Sequence, residues 1–273
     1  MKIVSFDPLR TWDMPHIVRL KADDWRKHLD TIRLADWIVF PEQWQVNFLT
    51  YALKKRVFPS PSSYHLGYSK VEMTYAFQSV LPAHVPYTLI MPRSDSAVEQ
   101  ILDDLSFPFV AKEIRNSMGR GVFLIESRHE FDQYFAYNPT LYVQEYLPIE
   151  RDVRVVVVGR EPLTAYWRVA SPGGFYNNVA RGGQVEFEGV PQTAVDLAVE
   201  TARLLDIDHA GFDIAMVDGH PYLIEFNMRF GNQALARQNI RLGRHILAYL
   251  NQRLAGQQDA GAPNDAYCET AQV

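Results

Sequence analysis

Within residues 211–227, two carboxylates and an amide, Asp213, Glu225 and Asn227, stand at spacings that let one face of a β-hairpin gather them. Two apolar strands flank Asp218-Gly219, and a three-residue loop with glycine is a common hairpin connection. With Asp218-Gly219-His220 as the loop, Val217 faces Pro221 and Asp213 faces Glu225. Side chains alternate along a strand, so Asn227 joins Glu225, while Phe212, Ile214, Ile224 and Phe226 form the opposite apolar stripe. Adjacent carboxylates repel where water is scarce, and a divalent cation removes that penalty. An all-oxygen set suits Mg2+ (or Mn2+), with phosphate oxygens completing the shell. A solvated sheet face would carry the same residue types, and a one-residue slip would separate them. The pattern by itself leaves both readings open.

A second group could meet the phosphates. Phe109-Val110-Ala111-Lys112 reads as a strand ending in lysine, followed by Ser117, Gly119 and Gly121. Glycines at alternate positions let backbone amides point into a common space, Ser117 adds a hydroxyl, and Lys112 adds a point charge. The loop is neither G-x-x-x-x-G-K-[ST] nor G-x-G-x-x-G before a helix. An ordinary hairpin turn has the same glycine pair.

The elements that must position these groups follow from periodicity. Strands are expected over 2–6, 36–40 and 57–58, with a helix over 42–55 on Val46, Leu49 and Leu53. This makes a small parallel α/β layer, closed by Pro59-Ser60-Pro61-Ser62-Ser63. Helices are expected over 70–80 and from about Ser94 to Leu105. A strand–loop–strand–helix unit covers 109–137, and a strand covers 142–147. Val153–Val158 and Leu163–Ala170 form a hairpin around Gly159-Arg160-Glu161-Pro162. A helix begins at Pro191 and runs through Leu205, and another runs from about Ala234 to Leu254. From Ala255 the chain is small and polar, and disorder is expected.

Composition bounds the function. The 273 residues are 47% hydrophobic, enough for a large core. A net charge of -5 with only modest basic clusters argues against a nucleic-acid partner. The single cysteine, Cys268, can form neither an internal disulfide nor a multi-cysteine metal site, so a reducing, cytoplasmic setting is expected. No run approaches the roughly 20 apolar residues of a membrane span, and the start lacks a signal-peptide core, so no membrane partner is expected.

The order of the pieces from about Lys70 to Leu250 resembles the ATP-grasp superfamily, and within it the RimK-type carboxylate–amine ligases, glutathione synthase among their relatives. The matching stretches are Phe109–Lys112, Ser117–Val122, Gln144–Leu147, Asp152–Gly159, Asn178–Gly183, Ala210–Asp213 and Glu225–Asn227. The resemblance implies an α/β ATP-grasp fold that holds ATP between two antiparallel sheets. A pre-ATP-grasp domain would cover 1–63 and the ATP-grasp domain 64–254, with a lid at about 106–147 and a tail over 255–273.

It also implies roles. Lys70 and Lys112 match the lysines near the ATP phosphates, with Ser117, Gly119, Gly121 and Asn178 in the same nucleotide-binding set. Glu145 and Tyr146 match the hinge that meets adenine, and Asp152 the acidic position that meets ribose. Asp213, Glu225 and Asn227 match the magnesium ligands, and Arg154 the arginine near the transferred phosphate. Arg154 could instead only pair with Asp152. Two departures stand out. Tyr176 occupies a place where relatives often have arginine, and Met228-Arg229-Phe230-Gly231 replaces a small-Pro-Gly pattern, so Arg229 is expected at an acyl phosphate or substrate carboxylate.

The implied reaction joins a carboxylate to an amine through an acyl phosphate, with small molecules, peptides or proteins as substrates. Homo-oligomers are frequent in the resembling family. An ATP-grasp kinase acting on a small molecule or protein, and a non-catalytic ATP-binding regulator, share the same nucleotide site. A dinucleotide oxidoreductase is disfavoured, because Asp7-Pro8-Leu9-Arg10 stands where its glycine fingerprint would follow the first strand.

Overall fold

The computed structural model describes residues 1–114, 121–169 and 184–258. Its contacts divide the chain into Met1–Phe58 with Leu235 onward, and Pro59–Ala234.

The first unit holds four parallel strands, β1 (Ile3–Ser5), β2 (Val18–Arg19), β3 (Trp37–Val39) and β4 (Arg56–Phe58), in the order β2-β1-β3-β4. Helix α1 (Leu29–Arg33) precedes β3, and α2 (Gln43–Asn47) precedes β4. β2 was not expected, since two exposed residues give no periodic signal. The Arg19 guanidinium fixes the segment before it by donating to the carbonyls of Thr11 and Met14 at 2.5 and 3.0 Å. The helix expected over 42–55 is shorter: α2 passes into a single π-type turn at Phe48–Ala52, and Lys54 adopts a left-handed φ of 52°. Ile38, Val39, Phe40, Val46, Leu49 and Phe58 are fully buried.

In the second unit, the Pro/Ser stretch expected to close the first domain also starts a helix, α3 (Pro61–Tyr68). Ser60 caps it by accepting the Ser63 N–H at 3.1 Å, and Pro61 lacks only a donor the first turn does not use. Helix α4 (Lys70–Val80) follows, capped by Ser69. A sheet then forms from β5 (Thr88–Pro92), β6 (Phe109–Lys112), β7 (Val122–Ile125) and β8 (Thr140–Glu145), antiparallel in the order β5-β8-β6-β7. Helices α5 (Asp95–Asp104) and α6 (Arg128–Tyr137) bury one face of it around Ile101, Phe109, Phe131 and Val143. Ser127 and Glu130 form a capping box at α6.

The larger sheet comprises β9 (Arg151–Val158), β10 (Glu161–Val169), β11 (Gln184–Glu186), β12 (His209–Val217) and β13 (His220–Asn227). All its pairings are antiparallel, in the order β11-β10-β9-β12-β13. Helix α7 (Gln192–Leu204) and α4 cover one face, where Val153, Val155, Trp167, Phe212, Leu223 and Phe226 pack with Phe77 and Leu197. Each such buried side chain contributes ~1.5–3 kcal/mol of transfer free energy. The other face is polar.

The final helix expected over 234–254 is two helices, α8 (Gln233–Arg237) and α9 (Leu242–Gln258), because Asn239 takes a left-handed φ of 58° between them. α9 groups with the N-terminal layer, whereas the expected second domain ran unbroken to 254. It also continues through Gln258, past the expected start of the tail. The rest of that tail lies outside the described residues.

Candidate active site

Two β-bulges build the polar face of the larger sheet. The β12–β13 turn is the two residues Asp218-Gly219, with left-handed φ values of 50° and 81°, and not the expected three-residue loop. Val217 therefore pairs with His220, and Ile214 with Leu223. Continued without interruption, this register would place Glu225 opposite Phe212 and bury it in the core. Ile224 is instead an extra residue, and beyond it Asp213 pairs with Glu225 and Gly211 with Asn227. The expected Asp213–Glu225 pairing holds through a different path, and Leu223 replaces Ile224 in the apolar stripe.

The β9–β10 hairpin uses the same device. Its turn is Gly159-Arg160, and the register shifts between Pro162 and Thr164. Without that shift Asp152 would face Trp167. With it, Asp152 faces Arg168, Arg154 faces Tyr166, and Trp167 turns into the core. Because β9 also pairs with β12, a row runs across the sheet: Tyr166, Arg154, Asp213, Glu225.

The charged side chains on this face form a closed network. Arg154 makes a bidentate pair with Asp213, through Nε to Oδ1 and Nη2 to Oδ2, the latter at 2.8 Å. Arg168 donates to both Asp152 oxygens at 2.6 and 2.7 Å, and reaches Asp213 Oδ2 at 2.9 Å. Arg154 thus pairs with Asp213 and not with Asp152, the alternative weighed from sequence. Arg168 was missed altogether. Burial pushes the Asp213 carboxyl up, but Arg154 and Arg168 together hold it below its ordinary value. Asp152 moves the other way: burial raises it, and the Asp213 charge adds to that. Burial opposes charge on Arg168, yet Asp213 and Asp152 raise its affinity for its proton.

Gly211 makes room for this network. A Cβ there would stand 2.8 Å from Arg154 Cδ and 3.3 Å from Phe230 Cβ. Gly211→Ala is therefore expected to displace the Arg154 side chain and lower stability by ~1–3 kcal/mol, which urea denaturation would measure.

Lys112 ends β6 on the smaller sheet and is buried. Its Nζ donates to Gln144 Oε1 at 2.7 Å and lies 5.4 Å from the centre of the Tyr142 ring. Burial lowers its pKa to about 8, against a raising effect of Glu225 and a further lowering by Lys70, the first residue of α4. Those two influences place Lys112, Glu225 and Lys70 in one electrostatic neighbourhood.

With the folded pKa depressed from 10.5 to about 8, the unfolded chain binds more protons between those values. Burying the charged lysine is a cost present below about pH 8 and removed as pH rises towards 10.5. Relative to Lys112→Met, the wild type is expected to gain on the order of 3 kcal/mol between pH 7.5 and 10.5, read by denaturation at both ends.

The remaining expected residues fall as follows. Glu145 closes β8; its Oε1 accepts the Tyr87 N–H at 2.7 Å, and its own N–H donates to Tyr87 O at 2.9 Å. Tyr146 begins the segment after it. Gly121 takes a left-handed φ of 69°, and its carbonyl accepts the Glu113 N–H at 2.7 Å, closing the base of the glycine loop. Ser117, Gly119 and Asn178 lie outside the described residues, as does Tyr176. Arg229 is exposed just past β13.

Among the described residues, no cluster of three or more His, Cys, Asp or Glu side chains could hold a metal. The set here is two carboxylates and an amide, all oxygen donors on one sheet face, with Asn227 Nδ2 donating to Glu225 Oε1 at 3.0 Å. That chemistry fits magnesium. Asp213 is held by two arginines, which occupy three of the lone-pair positions of its carboxylate and leave one on Oδ1 for a divalent cation.

Residues 78–250 match a family described as RimK-like ATP-grasp domain. The chain is 30% identical over 159 residues to a probable alpha-L-glutamate ligase from Enterobacter sp. (strain 638), covering 56% of this chain and 53% of that protein. The same identity and coverage hold for a ribosomal protein bS6–L-glutamate ligase from Salmonella paratyphi B. The chain spans about half the length of the curated relatives it matches. Among solved structures, a RimK domain protein ATP-grasp from Sphaerobacter thermophilus superposes with a TM-score of 0.68 at 14% identity, covering 91% of this chain and 99% of that one. D-alanine–D-alanine ligase from Bacillus anthracis superposes with a TM-score of 0.69 at 13% identity, covering 96% and 100%.

Proposed function

Because this chain belongs to the RimK-like ATP-grasp family, we propose that it is an ATP- and magnesium-dependent carboxylate–amine ligase. The observation that supports this best is the polar sheet face, where Arg154, Asp213 and Glu225 stand in one cross-strand row and Glu225 lies within the electrostatic reach of buried Lys112.

In this reading a substrate carboxylate oxygen attacks the γ-phosphorus of ATP, and the bond to the β,γ-bridging oxygen breaks to release ADP. An amine then attacks the acyl carbon of the acyl phosphate, losing a proton as inorganic phosphate leaves. The protein's part is positioning and charge neutralisation. Lys112 and Lys70 hold phosphate oxygens, and Arg154 meets the charge on the phosphoryl group in flight. The hinge backbone at Glu145 and Tyr146 receives adenine. Ser117, Gly119 and Gly121 cover the phosphates, Asn178 joins that set, and Arg229 takes the substrate carboxylate or acyl phosphate. Asp213, Glu225 and Asn227 would hold magnesium, which when bound would supply charge neutralisation to the phosphates. Asp152 keeps Arg168 in place with one hydrogen bond to each carboxylate oxygen, which leaves a lone pair on each for the ribose contact expected at this position.

The relatives named for L-glutamate make L-glutamate the first substrate to try, offered both as carboxylate and as amine. The test uses 18O-labelled carboxylate with ATP and magnesium and a panel of amines. A ligase transfers one label to inorganic phosphate and forms an amide. A stable phosphoproduct with no amide would replace this reading with an ATP-grasp kinase.

A further inference from the structure

We propose that Gln144, oriented from behind by Thr88, is a positioning residue that holds Lys112 in place for the nucleotide phosphates; this rests on the nucleotide-site reading of Lys112 above.

A chain of hydrogen bonds with a fixed polarity orients the Gln144 amide. Thr88 Oγ1 donates its one proton to Pro86 O at 2.7 Å. It must therefore accept from Gln144, whose Nε2 lies 2.7 Å away. That fixes the amide so that Oε1 points the other way, where Lys112 Nζ donates to it at 2.7 Å. Reversed, the amide would aim its NH2 at the ammonium. All three side chains are buried, so water offers Lys112 little alternative.

The sheet register explains why these residues meet. Thr88 pairs with Gln144 on one side of β8, and Val110 pairs with Gln144 on the other. Lys112 lies two residues beyond Val110 and so on the same face, within diagonal reach. Tyr142, two residues before Gln144, lies under the ammonium, and its hydroxyl is 2.7 Å from Thr74 Oγ1 of α4. A lysine has four rotatable side-chain bonds, and each must be ordered to keep the charge in one place. The amide and the ring do this before nucleotide arrives.

The test is a double-mutant cycle on ATP affinity, measured by calorimetry with magnesium, using Gln144→Leu, Lys112→Met and the double variant. A positioning residue acts through Lys112. Gln144→Leu is expected to raise the ATP Kd about tenfold with Lys112 present and to leave it unchanged in the Lys112→Met background. Thr88→Val leaves Gln144 in place but frees its orientation, and is expected to weaken binding about threefold, so the inference remains testable if Gln144→Leu does not fold. Equal losses from Gln144→Leu with and without Lys112 would overturn the inference while leaving the lysine's role intact. An unchanged Kd in Lys112→Met would overturn both.

Discussion

Asp213→Asn is expected to cost the nucleotide-free protein about 3–5 kcal/mol of stability, because it leaves two buried guanidiniums without their shared carboxylate. Arg154 binds Asp213 through two hydrogen bonds and Arg168 through one more, at a site with almost no solvent access. Asparagine keeps the shape and loses the charge. Urea denaturation in the presence of chelator measures the loss. The prediction separates two roles, since neutralising a carboxylate whose sole task is metal binding relieves repulsion in the metal-free state. Asp213 here is the internal counter-ion of two arginines before it meets any metal.

The pH dependence has a definite sign. Burial raises the folded-state pKa of Asp213, but Arg154 and Arg168 together outweigh it and leave the value depressed. Its contribution to stability is fully present above the unfolded carboxyl value, about 3.9, and is lost as pH falls through the lower folded value. The gap between wild type and Asp213→Asn is therefore expected to be constant at neutral pH and to close only below about pH 4.

The second large effect is at Glu225. It stands opposite Asp213, its Oε1 accepts from the Asn227 amide, and among the described residues no arginine forms a bidentate pair with it. Glu225→Gln is expected to lower magnesium-dependent turnover by on the order of a hundredfold. Its melting temperature is expected to stay within a few degrees of wild type. Phosphate release under saturating ATP gives the first number and thermal denaturation the second. The two neighbouring carboxylates thus behave differently: loss of Asp213 undermines the fold, whereas loss of Glu225 undermines the chemistry and spares the fold.

The hairpin that carries these carboxylates shows what a sequence can and cannot reveal. Alternation of apolar and polar residues placed Asp213 opposite Glu225, because side-chain period is a local property. The same alternation predicts a turn one residue longer than Asp218-Gly219 and no bulge at Ile224, and these two differences cancel. In the β9–β10 hairpin nothing cancelled. A bulge between Pro162 and Thr164 decides whether Trp167 or Arg168 meets Asp152, and no residue there announces it. The signal available was composition: Trp167 belongs in a core and Arg168 beside an acid, so the shift is the arrangement that satisfies both. The Arg154–Asp213 pair depends on β9 lying beside β12, a contact across 59 residues that no local pattern encodes. Lys112 was legible as a strand-end lysine, but its burial and its Gln144 partner depend on β8 lying beside β6.

Helix ends were easier where a cap made the stop or start chemical. Ser94, the cap expected for α5, begins it by accepting the Ala97 N–H, whereas the Ser127 cap that starts α6 at Arg128 was not read from the sequence. The break at Asn239 and the π-type turn after Asn47 were not legible, because both sit in stretches whose apolar spacing continues a helix.

The most direct test of the central claim is calorimetric titration of the chain with ATP, in magnesium and in chelator, alongside Glu225→Gln. A magnesium- and ATP-dependent ligase is expected to bind ATP with magnesium, to bind it at least tenfold more weakly in chelator, and to lose most of that difference in the variant. ATP binding that is the same in magnesium, in chelator and in Glu225→Gln, or no binding by the folded wild-type chain, would contradict it.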